Sequence, residues 1–206
     1  MHMRTFDAGH LEQIKSQREK HDDRHRRRMT RDRESSRRQK IALIKELLPD
    51  VHSILCVGCR DDSEVRSFIH AGYDARGIDV ATGTGLITRM DAHELIDERE
   101  DICDFIYCSG ALEHMHDALL VLRGFKRIAR VGAFIDLPTY EGPVEPDINH
   151  CSIFHVMEHD RAGRLDPGML YEFDVLDARL LHHSFTPDVN ALGVGSLDLI
   201  YAWAGA

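Results

Sequence analysis

The chain has 206 residues, 43% of them hydrophobic and 30% charged, with a net charge of −9 at pH 7. That length suits one domain with a short extension and a core that needs no covalent staples. No apolar run approaches the roughly 20 residues that span a bilayer, and no apolar leader opens the chain.

Five cysteines (Cys56, Cys59, Cys103, Cys108 and Cys151) make an odd set. They point to free thiols in a reducing, cytoplasmic setting rather than to a disulfide framework. The charge is unevenly placed. Residues 1–45 carry 14 Lys and Arg against 7 Asp and Glu, a net +7, and the remainder carries 12 against 28, a net −16. A basic arm over 1–48 and an acidic domain over 49–206 are therefore expected.

Residues 8–40 are almost wholly polar, with the runs His25-Arg26-Arg27-Arg28 and Arg37-Arg38-Gln39-Lys40. Pro and Gly are absent from 10 to 48, so a helix is permitted there, but few apolar side chains offer a face to bury. A solvated helix, or a partly disordered one, is expected unless a partner covers it. Ile41, Ile44, Leu47 and Leu48 then fall at helical spacing and should pack on the domain.

From Ser53 the pattern alternates. Ser53–Val57 reads as a buried strand. Asp61–His70 reads as a helix, with Asp61 as N-cap and Glu64 placed to complete a capping box. Tyr73–Val80 and Leu86–Met90 read as strands, and Asp104–Cys108 as a fourth. Ala118–Ala129 has a helical apolar stripe, Val131-Gly132 a turn, and Ala133–Leu137 a fifth strand.

Residues 138–168 read as a long loop. Phe173–Phe185 and Leu197–Trp203 read as two strands whose connection is too short for a parallel crossover, so they form an antiparallel hairpin. The expected fold is α/β: a Rossmann-like, doubly wound, seven-stranded and mostly parallel sheet with a C-terminal antiparallel hairpin.

In such a sheet, ligands sit at the carboxyl ends of the strands. Gly58 follows the first strand and lets the backbone approach a ligand closely. Asp79 lies 21 residues further on, at the end of the second strand. That is the position from which a carboxylate accepts two hydrogen bonds from a ribose diol. A dinucleotide fingerprint would also need glycine at 60 and 63, where Arg60 and Ser63 stand, so a Rossmann-type oxidoreductase is disfavoured. Cys56 and Cys59 lack the second ligand pair that a zinc site requires, and His155 and His159 lack a third ligand, so no metal is expected.

Five pieces in register carry a more specific signal: Ile54–Arg60, Gly77–Val80, Met90–His93, Phe105–His114 and Phe125–Phe134. In order and spacing they resemble the class I, S-adenosylmethionine-dependent methyltransferases, in particular the smaller type-11-like members, over roughly residues 50–140. The resemblance implies S-adenosylmethionine as cofactor. Gly58 and Cys59 would lie beside its methionine part, Asp79 at the ribose hydroxyls, Asp91 and Ala92 at the adenine, and Ser109 and Gly110 along its other side. Leu112-Glu113-His114 matches a frequent Leu-Glu-His element of that family.

The chain departs from the family where its second and third glycines are Arg60 and Asp62. Arg60 could pair with the cofactor's carboxylate. Alternatively it could mark a degenerate site, leaving a non-catalytic binding or scaffolding module. His114 and His150 are the candidate general bases, because an imidazole titrates near neutrality. A small-molecule acceptor comes first and a protein or RNA acceptor second. The basic arm leaves open a nucleic-acid contact, a homodimer contact or a solvated face.

Overall fold

A computed structural model describes residues 31–81, 83–140, 178–186 and 194–203, with the side chains of 31–33, 138–140, 185–186 and 194–195 left aside. Helix α1 (Arg31–Leu47) leads into β1 (Ser53–Val57), α2 (Asp62–His70), β2 (Asp74–Asp79) and β3 (Ile87–Arg89). A 3-10 turn (Ala92–Asp97), β4 (Cys103–Ser109) and a second 3-10 turn (Leu112–His114) follow. Then come α3 (Ala118–Ile128), β5 (Ala129–Tyr140), β6 (Ala178–Thr186) and β7 (Val194–Trp203).

The strands form one seven-stranded sheet in the order β3-β2-β1-β4-β5-β7-β6. The pairings β1–β2, β1–β4, β2–β3 and β4–β5 are parallel, and β7 runs antiparallel to both β5 and β6. The parallel α/β sheet with its C-terminal antiparallel pair is therefore present as expected.

Two buried layers hold the helices to the sheet. On one face, Ile41 and Ile44 of α1 and Val65 and Phe68 of α2 cluster with Ile54, Phe105, Tyr107, Phe134 and Ile200. Val121, Leu122 and Phe125 of α3 cluster on the other face with Leu95, Ile106, Ile135 and Leu199. Strands buried on both faces explain their continuous apolar runs. Each such side chain adds about 2 kcal/mol when fully buried. Tyr107 stacks on Phe134 with centroids 4.7 Å apart, which stiffens β4 against β5.

Three local expectations need correction. Asp61 does cap α2, accepting from Ser63 N–H at 2.9 Å, but Glu64 completes no box with it. The Asp61 N–H donates instead to the Cys59 carbonyl, and Glu64 is buried. Val131-Gly132 is not a turn: α3 passes directly into β5, which begins at Ala129. Gly132 is needed because a Cβ there would collide with the main-chain carbonyl of Tyr201 on β7.

Finally, the helix before Ile41 is not wholly solvated in its described part. Positions 34–36, 38 and 39 are exposed, whereas Arg37 and Lys40 are turned against the domain.

Candidate cofactor and acceptor site

All the expected cofactor residues lie at the carboxyl edge of the first four strands. Gly58 follows β1, Asp79 ends β2, Asp91 follows β3, Ser109 ends β4 and Gly110 follows it. His150 lies outside the described residues.

The loop after β1 is held by main-chain bonds. Gly58 adopts φ +72° and its N–H donates to the Ile78 carbonyl at 2.9 Å. A Cβ at Gly58 would strike Ala111, so the loops after β1 and β4 touch only because this residue is glycine. Arg60 also has positive φ, 47°, and its N–H donates to Asp79 Oδ2 at 3.1 Å.

Asp79 is 4% exposed, and its Oδ1 accepts from the Ala81 N–H at 2.7 Å. Two loop amides thus fix the orientation of this carboxylate. The Cys59 side chain points into the core, where its thiol donates to the Ile78 carbonyl, so only its backbone belongs to the loop surface. Burial pushes the Cys56 and Cys59 thiols well above the usual range and keeps them protonated packing groups.

Asp91 begins the first 3-10 turn in a capping box with Glu94, accepting from His93 N–H at 3.0 Å. Its Oδ1 also lies 2.6 Å from His93 Nδ1, and His93 Nε2 accepts from the Asp117 N–H at 3.1 Å. The Asp117 amide requires a bare Nε2, so the proton of His93 sits on Nδ1. This 3%-exposed imidazole joins the Asp91-Ala92 turn to the start of α3. Sequence reasoning did not single it out, because one histidine among 14 carries no pattern of its own.

A second cluster lies where the end of β4 meets the inner part of β5 and β7. Ser109, Asp136 and Asp198 are register partners across the three strands. Ser109 Oγ donates to Asp136 Oδ2 at 2.8 Å, and Ser196 Oγ donates to Asp136 Oδ1. Lys40 of α1 reaches in to lie 2.9 Å from Asp136 and 2.8 Å from Asp198. Burial alone would lower the Lys40 ammonium, but the two carboxylates outweigh it and hold it above the usual lysine range. Asp198 is pushed up by burial and by Asp136, against the pull of Lys40.

Nearby, Arg37 bonds the hydroxyls of Ser63 and Ser67 at 3.4 and 3.3 Å, tying α1 to α2. His114 lies in the second 3-10 turn with its side chain 26% exposed, its Nε2 3.8 Å from Glu113 Oε1. Glu113 itself is 5% exposed.

No family model matches the chain, and no curated protein matches it by sequence. Solved structures do. The chain is similar to Burkholderia thailandensis 1,6-didemethyltoxoflavin-N1-methyltransferase, solved with 1,6-didemethyltoxoflavin and S-adenosylhomocysteine bound. The TM-score is 0.71 at 16% identity, covering 98% of this chain and 93% of that one.

Magnesium protoporphyrin IX methyltransferase from Synechocystis PCC 6803, solved with S-adenosylmethionine bound, gives a TM-score of 0.65 at 12% identity over 98% of this chain and all (100%) of that one. The 4+2 cyclase SpnF gives 0.59 at 12% identity over 80% of each chain. The fold is that of the class I, Rossmann-like methyltransferases. The cyclase shows that proteins sharing this fold run more than one reaction, so chemistry has to be argued from the site.

Proposed function

We propose that the chain is an S-adenosylmethionine-dependent methyltransferase acting on a small-molecule acceptor. The observation that carries this reading is Asp79: a buried carboxylate at the end of β2, oriented by the Arg60 and Ala81 amides, beside a glycine loop that leaves no Cβ in the way. Such a carboxylate accepts both hydroxyls of a ribose. Gly58 and the Cys59 backbone would hold the methionine part, Asp91 and Ala92 the adenine, and Ser109 and Gly110 the opposite side.

When bound, the cofactor supplies an electrophilic methyl group. The protein supplies alignment, which alone carries much of the rate for such a displacement. The cluster where the end of β4 meets β5 and β7 faces the acceptor, with His114 at its edge. The acceptors named for two of the similar structures, 1,6-didemethyltoxoflavin and magnesium protoporphyrin IX, are small molecules, which supports that acceptor class. In α1, the inward turn of Arg37 and Lys40 removes two of the basic arm's charges from any nucleic-acid contact.

Calorimetric titration with S-adenosylhomocysteine, with NADH as control, tests the reading. The expected result is micromolar binding of the first only, weakened about 100-fold in Asp79→Ala, which corresponds to about 2.7 kcal/mol. Absence of binding by well-folded protein would make the chain a module that keeps the fold without the cofactor.

A further inference from the structure

One side chain beside the second cluster is unaccounted for. Glu113 sits in the turn after β4 and is 5% exposed, yet its Oε2 has no hydrogen-bond partner among the described residues. Its Oε1 faces Gly110, lying 3.8 Å from where a Cβ on that residue would be. A buried carboxyl oxygen without a donor costs stability and calls for an explanation, of which a part in the chemistry is one. The groups acting on it are His114 on its own turn, Cys108 on β4 and Asp136 on β5. Asp136 is in turn tied through Lys40 to a further carboxyl, Asp198, so two carboxyls share one ammonium on the neighbouring strands.

We propose that Glu113 takes the proton from a neutral O–H or N–H acceptor as that atom is methylated. The inference rests on the methyl-transfer reading above. In the step, the acceptor's lone pair forms the bond to the methyl carbon, and the carbon–sulfur pair returns to sulfur. The acceptor's proton passes to the Glu113 carboxylate, and His114 is placed to carry it on to solvent.

Burial, reinforced by the charge of Asp136, pushes Glu113 up to about 8, a value matched to weak acids of this kind. Carboxylate acceptors are excluded by the same surroundings, since they would add another negative charge to a group of buried carboxyls.

The full chain is first titrated with S-adenosylhomocysteine; failure there removes the methyltransferase reading, not this one alone. Glutamate labelled with carbon-13 at its side-chain carboxyl then reports on the homocysteine complex by NMR. A signal titrating near pH 8 and missing from Glu113→Gln is expected, and it should shift on adding phenol but not benzoate. In parallel, a panel of phenols, N–H azoles and matching carboxylates is offered with S-adenosylmethionine.

For neutral members, Glu113→Gln should lower kcat at least 100-fold with unchanged homocysteine affinity, and Glu113→Asp should restore part of it. The wild-type rate should rise with pH to a plateau above 8. Preferred turnover of carboxylates, a wild-type rate in Glu113→Gln, or a glutamate signal indifferent to phenol each overturns the proposal. Where no panel member turns over, the NMR titration decides.

Discussion

The two halves of the sheet's carboxyl edge are built on opposite plans. At the ends of β1, β2 and β3, main-chain donors orient the carboxylates: Asp79 is held by two loop amides, and Asp91 by the His93 amide of its own turn with the His93 imidazole beside it. Where the end of β4 meets β5 and β7, side chains answer side chains. Lys40, Ser109 and Ser196 surround Asp136, and Glu113 is left with an oxygen unmatched. Backbone donors cannot be titrated or rotated away, so the first half is a fixed cradle. The second half has charges and protons that can move, which fits the proposed division between cofactor binding and reaction.

Gly58 is where the halves touch, and breaking it should have the largest effect. Gly58→Ala must put a Cβ into Ala111 at φ +72°. The strained backbone and the overpacking together should cost about 4 kcal/mol by urea denaturation. Wild-type stability in this variant would mean that the two loops can part freely, and the division drawn above would lose its hinge.

Lys40→Met comes next. It strands Asp136 and Asp198 without their cation, at a cost of about 3 kcal/mol, and Asp198→Asn in the same chain should recover much of the loss.

Taken per pH unit and per group, the smallest effect concerns pH. Glu64, like Glu113, is pushed up to about 8 by burial, with Arg37 opposing. The native state therefore favours the protonated form of both, whereas the unfolded chain ionises them near the ordinary value of 4.5. Their stabilising contribution is complete below pH 4.5, falls as pH rises towards 8, and is gone above it. The slope is about 1.4 kcal/mol per pH unit for each group. Denaturation at pH 5, 6, 7 and 8 should show this fall, and Glu64→Gln should remove its share. A flat profile in wild type would show that neither carboxyl is held neutral.

Much of the fold is legible in the residues. Ser53–Val57 and the Asp61 cap appear where apolar runs and a capping residue announce them, because both signals are local. Gly132 misleads for the same reason. Locally a glycine reads as a turn, but its cause is the Tyr201 backbone on a strand far along the chain.

The cradle is partly legible, since Gly58 and Asp79 stand at characteristic spacing. The half on β4, β5 and β7 is not, beyond Ser109 and His114. Lys40 lies 96 residues from Asp136, and nothing in the basic run Arg37-Arg38-Gln39-Lys40 marks two of its four members as inward-facing. Glu113 reads only as the middle of a Leu-Glu-His element, and its burial is set by packing that no short window contains.

The place of β7 has a consequence for how the molecule comes together. It lies between β5 and β6, and the Trp203 indole closes on the Ala129 carbonyl across 74 residues of chain. Until residues 194–203 arrive, β5 presents a long apolar edge with its amides and carbonyls unmatched. Such non-local pairing is slow, and an unpaired edge of this kind invites association with other chains. The nascent protein is therefore most exposed to aggregation in the interval between forming its parallel half and receiving its last described strand.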